Sequence, residues 1–349
     1  MSRKMRCVAL LSGGLDSMLA IRLMQEQGIE VEALNFKTIF TCCQDLSAHA
    51  ARDIGVRLTV VGQEDDYLEL IKKPQFGYGK GANPCVDCRI YMFEKAKVFM
   101  EQVDAKFIIS GEVMGQRPMS QKRKDLAIIS EKSDLEDLLL RPLSAKIMEP
   151  TLPEREGWVD REKLYGFFGR SRKGLIRLAH ELGLKDIPTP STGCSLTEPQ
   201  FSRTVHDLIR NEPEKGRWDF ELLNIGRHFR LDKQTKVVVG RDQTENDQIE
   251  YAHKLEDASS TAVLRPDNFM GPVAMVVGPL TKESIRFASG LVLRYSREYD
   301  EPMIELVEGD GAQLVPAETC ELAAKVRTIA SQGSVPRRKL MHRDLPARD

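Results

Sequence analysis

Short apolar runs alternate with amphipathic stretches through the first half of the chain. Cys7 to Leu11 reads as a first strand. From about Asp16 to Gln27, the positions Leu19, Leu23 and Met24 fall on one helical face, and Gly28 follows where a left-handed residue ends a helix without steric penalty. Val31 to Phe36 is a second strand. Asp45 to Ile54 with Gly55 repeats the helix-plus-glycine pattern, Leu58 to Val61 is a third strand, Arg89 to Val103 a long helix, and Phe107 to Ser110 a fourth strand. Strands separated by helices predict an α/β domain with a doubly wound parallel sheet. The runs Leu126 to Ile129 and Leu138 to Leu140 read as edge strands of that sheet, and a helix with Ser171 as its N-cap runs to Leu182, closed by Gly183. Beyond about Pro199 the alternation stops. Strand-like runs at Lys236 to Val239, Val273 to Val277, Leu291 to Leu293 and Met303 to Val307 predict a second, smaller α+β domain. The expected division is a catalytic domain over 1–197, a second domain over 198–330 and a basic flexible tail over 331–349.

The length of 349 residues agrees with two hydrophobic cores. Hydrophobic residues at 41% and charged residues at 30% describe a soluble globular chain and exclude a disordered or fibrous one. The basic opening Met1 to Arg6 is followed by too short an apolar run for a signal peptide or membrane span, so a cytoplasmic protein with no membrane partner is expected. Fifty-one Lys and Arg against 52 Asp and Glu give a net charge of −1. Any nucleic-acid site must therefore be a local patch, and Arg117, Lys122, Arg123 and Lys124 form the best one, with an Arg-rich end from Ser331 as a second. Seven cysteines form no regular framework, so metal or thiol chemistry outranks disulfides.

Ser12-Gly13-Gly14-Leu15-Asp16-Ser17 lies where the first strand feeds a helix. Adjacent glycines let the backbone turn tightly and aim N–H groups outward, and the helix N-terminus adds partial positive charge; together they make an anion cradle. The spacing is neither a Walker loop nor a dinucleotide fingerprint. A plain strand-to-helix joint capped by Asp16 would use the same glycines. The segment resembles the pyrophosphate loop of the ATP pyrophosphatase superfamily, which has the adenine nucleotide alpha hydrolase-like fold. That resemblance implies ATP as cosubstrate, Leu11, Ser12, Gly13, Gly14, Asp16 and Ser17 as nucleotide contacts, and Mg²⁺ aided by Asp16.

Asn83-Pro84-Cys85-Val86-Asp87-Cys88-Arg89 precedes a helix, and Ser191-Thr192-Gly193-Cys194 closes the α/β domain. A thiolate at a helix N-terminus beside Arg89 has a lowered pKa, which would make Cys88 reactive. A lone C-x-x-C can be half of a zinc site, but no second pair follows. Three cysteines without a fourth suggest a site with an open position, as in a [4Fe–4S] cluster that leaves one iron for an exogenous sulfide. Both segments are similar to those of tRNA 2-thiouridine synthases, N-P-x-x-x-C and S-T-G-x-C, with one intervening residue missing before Cys194. The resemblance implies Cys88 and Cys194 as catalytic cysteines, alongside Asp16. Cys85 stands where the persulfide-using members have an aspartate. It resembles the C-x-x-C…C set of iron–sulfur-dependent tRNA thiolases, which favours a cluster on Cys85, Cys88 and Cys194 over a persulfide.

Asn35-Phe36 is similar to the adenine-contacting pair of tRNA 4-thiouridine synthases, with Asn35 in place of the usual His. Arg89 falls at their ATP-contacting arginine. Ser110 to Gln116 matches their T-G-E-x-x-G-Q segment, which implies Gly111 and Gln121 near the nucleotide, and Arg141-Pro142-Leu143 echoes their R-P-L strand end. These likenesses span residues 5–197 and do not extend to that family's THUMP and rhodanese domains. In the second domain, Val238 to Asp247 is similar to the V-G-R-x-x-x-x-N-D segment of NFACT-R-type RNA-binding modules. An ordinary strand-turn-helix with Asn246-Asp247 as a cap would read the same way.

The resulting expectation is a tRNA uridine thiolase. It adenylates a uracil carbonyl oxygen, releases pyrophosphate and replaces AMP by sulfur, with tRNA and a sulfur donor (free sulfide or a cysteine desulfurase relay) as partners and a homodimer as an open assembly. Two rivals remain: a superfamily ligase or sulfurtransferase acting on a small molecule, and a noncatalytic nucleotide-dependent RNA-binding protein. Cys7, Cys42, Cys43 and Cys320 read as bystanders.

Overall fold

A strand buried on both faces must be covered by helices on both sides, and the first strand is of that kind. In the computed structural model, which describes residues 4–41, 46–184, 186–188 and 193–332, β1 (Arg6–Leu10) turns Cys7 and Ala9 into one core and Val8 and Leu10 into the other. The chain continues through α1 (Leu15–Gln25), β2 (Glu30–Lys37), α2 (Leu46–Ile54), β3 (Arg57–Gly62), α3 (Asp65–Lys72), α4 (Cys85–Gln102), β4 (Phe107–Ser110), α5 (Arg123–Lys132), β5 (Leu139–Leu140), α6 (Leu152–Arg155) and α7 (Lys173–Glu181). The strands form a parallel sheet in the order β3-β2-β1-β4-β5. Helices α1, α2 and α7 cover one face and α4 and α5 the other. The order reverses between β1 and β4, and the C-terminal ends of those two strands open the crevice where ligands bind in such sheets.

The expected α/β class holds, with local corrections. Leu126 to Ile129 is not an edge strand but part of α5: Leu126, Ile129 and Ser130 are buried while Ala127 is exposed, which is helical spacing. Helix α4 begins at Cys85 rather than Arg89, so Cys85 and Cys88 lie in its first turn. Helix α7 has Arg172, not Ser171, at its N-cap, and no side chain caps it. Helix α3, with Tyr67, Leu68 and Ile71 buried, was not anticipated.

A buried ion pair holds the sheet's C-terminal edge together. Glu112, just after β4, and Arg141, just after β5, are 2% and 3% exposed, so each needs the other to offset the loss of water. Arg141 donates from Nε to Glu112 Oε2 at 3.0 Å, from Nη1 to Ser130 Oγ at 3.0 Å and from Nη2 to the Leu126 carbonyl at 3.3 Å. Ser110 Oγ donates to the same Glu112 oxygen at 3.1 Å.

The chain divides into two compact units, Met1–Gly79 with Pro84–Cys194, and Lys80–Asn83 with Ser195–Asp349. The second contains α8 (Pro199–Asn211), α9 (Arg217–Leu222), β6 (Arg227–Arg230), β7 (Lys236–Val239), α10 (Gln243–His253), β8 (Ser260–Pro266), β9 (Ala274–Val277), α11 (Lys282–Tyr295), β10 (Met303–Glu308), β11 (Gly311–Pro316) and α12 (Glu321–Lys325). Its antiparallel sheet runs β11-β10-β8-β9-β7-β6. Phe287, Leu291 and Val292 pack on one face, and Trp218, Leu222 and Ile249 on the other. The run Leu291 to Leu293 therefore belongs to a helix, α11, and not to a strand. Cys320 is the N-cap of α12. Among the described residues no helix is long and apolar enough to cross a membrane. Most of the tail from Ser331 lies outside the described residues.

Arg141→Met should leave Glu112 buried without its main partner and destabilise the first unit by about 3–5 kcal/mol. Denaturant unfolding followed in that unit checks this, and Glu112→Gln combined with Arg141→Met should recover part of the loss.

Candidate active site

The turn from β1 into α1 is built around two glycines. Gly13 has φ +79°, and a Cβ there would run into the backbone of Leu46. Gly14 is the N-cap of α1 and no side chain caps the helix, so the N–H groups of the first turn, which have no acceptor within a helix, face the crevice mouth. Ser17 Oγ donates to the Gly14 carbonyl at 2.8 Å, and Asn35 Nδ2 donates to the Leu11 carbonyl at 2.7 Å. Leu11 itself is buried, and its amide donates to the Leu34 carbonyl at 2.9 Å. Asn35 thus shapes the loop from the end of β2, while Phe36 packs partly against the α4 side of the sheet.

Gly111 closes the other wall. A Cβ at this position would overlap the backbone of Asp16 and Ser17, so only glycine lets the end of β4 lie against the start of α1. Asp16 is half-buried, and its Oδ1 is enclosed without a hydrogen-bond partner. Burial pushes its carboxyl above the ordinary range, opposed by a hydrogen bond with the Gln116 side chain and by the charges of Arg172 and Arg117. An enclosed carboxylate oxygen with no donor, beside a helix N-terminus, fits a cation such as Mg²⁺ carried by a phosphate chain.

Gln121 differs from the expectation. It is 3% exposed. Its Oε1 accepts from the Arg117 amide at 3.0 Å and its carbonyl from the Gly115 amide at 2.6 Å, so it shapes the turn that delivers Gln116 and Arg117. Sequence reasoning passed over Gln116 as a site residue although it ended the quoted segment. Arg172 gave no sign beyond lying in a basic stretch. Arg89 lies with its Nε 3.6 Å from Glu112 Oε1, which ties the head of α4 to the end of β4.

The cysteines gather around a buried phenol. Cys85 and Cys88, three apart in the first turn of α4, share one face of the helix. Asp87 between them points back and accepts from the Gln75 amide at 2.6 Å and the Phe76 amide at 3.1 Å. The Tyr67 hydroxyl is 3.4 Å from Cys88 Sγ. Its ionisation is pushed well up, by burial first and then by Cys88, Cys194 and Cys85, so all three thiols lie within electrostatic range of one hydroxyl. Cys88 overturns one expectation. Burial pushes its thiol up, and the Tyr67 hydrogen bond and Arg89 charge only oppose that rise. Among the described residues no three His, Cys, Asp or Glu side chains are gathered as a metal holder. Cys42, Cys43, Ser191 and Thr192 lie outside the described residues.

In the second unit the V-G-R…N-D segment is engaged internally. Asp242 caps α10 by accepting from the Glu245 amide at 3.0 Å, and Asn246 Oδ1 accepts from the Val273 amide at 3.1 Å. Arg241 donates to Glu245 at 2.9 Å and to the Gly226 carbonyl at 2.6 Å.

Residues 3–147 match the family described as Thiamine biosynthesis protein (ThiI), and residues 226–326 match the family described as NFACT protein RNA binding domain. A protein of Thermococcus kodakarensis named "Probable tRNA sulfurtransferase" is 30% identical over 142 residues, which is 40% of this chain and 36% of that one. A "tRNA-specific 2-thiouridylase MnmA" of Leptospira interrogans is 30% identical over 117 residues, 27% of this chain and 31% of its own. The namesake from Bordetella parapertussis is 26% identical over 235 residues, 61% of this chain and 59% of its own. The chain thus spans about a third of the first two relatives' length. A solved structure of a 4-thiouridine synthetase in complex with RNA and with bound ATP is 21% identical, covers 60% of this chain and 51% of that one, and has a TM-score of 0.36.

The Asp16 carboxyl is easier to protonate in the folded protein than in the unfolded chain. Its stability cost is thus absent below the ordinary value of 3.8 and complete above the raised one. Asp16→Asn should therefore raise the melting temperature of the ligand-free protein at pH 7 by about 2 °C. Thermal scans at pH 4 and pH 7 check this.

Proposed function

We propose that the protein is an ATP-dependent tRNA sulfurtransferase that replaces a uracil oxygen with sulfur. The observation that carries this reading is the presence, in one folded unit, of a phosphate cradle with an orphaned Asp16 oxygen and of three cysteines around Tyr67. The matches to the ThiI family and to curated tRNA-thiolating enzymes support it. Thiolation of a carbonyl needs both parts, because oxygen is a poor leaving group until it is adenylated.

In this reading the amides of the Ser12 to Ser17 loop hold the β- and γ-phosphates, Asp16 holds Mg²⁺, and Arg117 and Arg172 offset the charge that develops on pyrophosphate. The uracil oxygen attacks the α-phosphorus and pyrophosphate leaves. Asn35, Phe36 and Arg89 hold the adenosine side of ATP. Cys85, Cys88 and Cys194 are the residues that would hold a [4Fe–4S] cluster, which when bound supplies a sulfide nucleophile at its open iron. Free sulfide supplies the cluster route, and a desulfurase relay, which passes sulfane sulfur from a donor persulfide to the Cys88 thiolate, supplies the persulfide route. The NFACT-R-type unit binds tRNA phosphates.

One observation favours a second route for the sulfur: the Tyr67 hydroxyl lies 3.4 Å from Cys88 Sγ, where it can donate to a sulfur anion. Here the terminal sulfur of a Cys88 persulfide attacks the activated carbon and AMP leaves. The Cys194 thiolate then attacks Cys88 Sγ, the thiouridine sulfur departs with its electron pair, and a thiol reductant reopens the Cys88–Cys194 disulfide.

Cys88→Ser and Cys194→Ser should each abolish thionucleoside formation in unmodified tRNA while leaving tRNA-stimulated pyrophosphate release within about threefold. Mass spectrometry of nucleosides and a pyrophosphate assay read the two steps separately. Pyrophosphate release indifferent to tRNA would overturn the reading. Anaerobic iron and sulfide analysis separates the routes: about four irons per chain, lost in Cys85→Ser, for the cluster, and none for the persulfide.

A further inference from the structure

Next to the phosphate crevice stands an aromatic ring that the proposed chemistry leaves without a task. Phe168 is 70% exposed. Its neighbour Phe167 is partly buried and stacks on Tyr165 with ring centroids 5.1 Å apart and planes 3° apart, so the two rings point to opposite environments. Exposure of Phe168 does not reflect a loose backbone. Phe168 forms a parallel bridge with Met114, the Gly169 amide donates to the Met114 carbonyl at 2.8 Å, and Ser144 Oγ joins both segments, accepting from the Met114 amide at 3.0 Å and donating to the Phe167 carbonyl at 2.7 Å. Gly115, at φ +78°, lies against the ring, and a Cβ there would stand 3.0 Å from its edge. A rigid ring kept in solvent loses little freedom when something stacks on it.

Phe168 lines a cleft with Met114, Gly115, Ile147, Lys122 and Arg123. Gln116, one residue beyond Gly115, contacts Asp16, and Arg172, four residues beyond Phe168, also acts on Asp16. The cleft therefore borders the cradle on the β4–β5 side, whereas Asn35 and Phe36 border it on the β2 side. The two segments that meet at the cleft are rich in cations. Residues 113–124 contain Arg117, Lys122, Arg123 and Lys124 and no carboxylate, and residues 164–180 contain Arg170, Arg172, Lys173 and Arg177 and again none. In a chain of net charge −1 this is a local concentration. An exposed aromatic face among cations is how proteins hold single-stranded nucleic acid, the ring taking a base and the cations its phosphates.

We infer that Phe168 is a stacking platform for a base of the RNA strand, presented on the flank of the crevice opposite the adenosine side. This rests on the tRNA reading. An RNA strand, rather than the adenine of ATP, is the fitting occupant, because the ring is open to solvent and the surrounding cations extend well beyond the reach of one triphosphate.

The test uses the full chain with two probes: a labelled uridine heptamer and a fluorescent non-hydrolysable ATP analogue. Phe168→Ala should weaken the heptamer about tenfold, Phe168→Trp should restore it, and the ATP analogue should bind all three proteins within about twofold. Phe168→Ala binding the heptamer as tightly as wild type overturns the platform and leaves the tRNA reading intact. Loss of the ATP analogue instead overturns it in favour of an adenine site. Failure of the wild type to bind either the heptamer or unmodified tRNA sinks both readings.

Discussion

The Glu112 carboxylate is the constraint on which the first unit's geometry rests. It is buried at the end of β4, where a lone carboxylate would be untenable, and it is held by Arg141 through Oε2 at 3.0 Å. Arg141 reaches on to α5 through Ser130 and the Leu126 carbonyl. The other oxygen, Oε1, has no hydrogen bond and faces Arg89 at 3.6 Å. One charge therefore fixes the ends of β4 and β5, the body of α5 and the head of α4. Gly111, the residue before it, is pressed against Asp16 and Ser17. The cradle wall and the cysteine helix are consequently referenced to the same point.

That shared reference explains the electrostatics of both halves of the site. Asp16 is kept partly dry, so its charge is unwelcome until a cation arrives, even with Arg117 and Arg172 nearby. Ligand-free, the crevice holds an unmet demand for positive charge beside an unmet demand for negative charge at the α1 N-terminus. A metal–phosphate chain satisfies both at once. At α4, Arg89 divides its charge between Glu112 and Cys88, so it cannot fully counter the burial of the Cys88 sulfur. The Tyr67 hydroxyl adds a hydrogen bond but no charge. The Cys88 thiol therefore stays above its ordinary range in the free protein.

Much of this was legible in local pattern and some was not, for identifiable reasons. The parallel strands and the glycine loop were readable because period-two burial and a strand-glycine-helix joint are properties of adjacent residues. Leu126 to Ile129 and Leu291 to Leu293 misled because consecutive apolar residues fit a buried helix as well as a strand, and only the packing partners decide. Chain spacing likewise does not reveal that the Gln121 side chain is taken up by the turn at Arg117 while Gln116 meets Asp16. Arg172 was invisible, since it comes to Asp16 from the start of α7, far along the chain. The Cys88 shift was misjudged because a helix N-terminus and an adjacent arginine are local, whereas the burial that outweighs them is set by tertiary packing.

The neutral net charge is then consistent with a polyanion substrate. In the second unit, Arg241, Asp242 and Asn246 are engaged in the turn that joins β7 to α10, so these residues of the motif build the local scaffold. In the first unit the cations of residues 113–124 and 164–180 are not interleaved with carboxylates, and Arg117 and Arg172 among them act on Asp16. Compensating acids elsewhere lower the charge sum without lowering the local potential, because screening confines each charge to about 8–10 Å. Sign and position, not total charge, decide where such a chain can meet RNA.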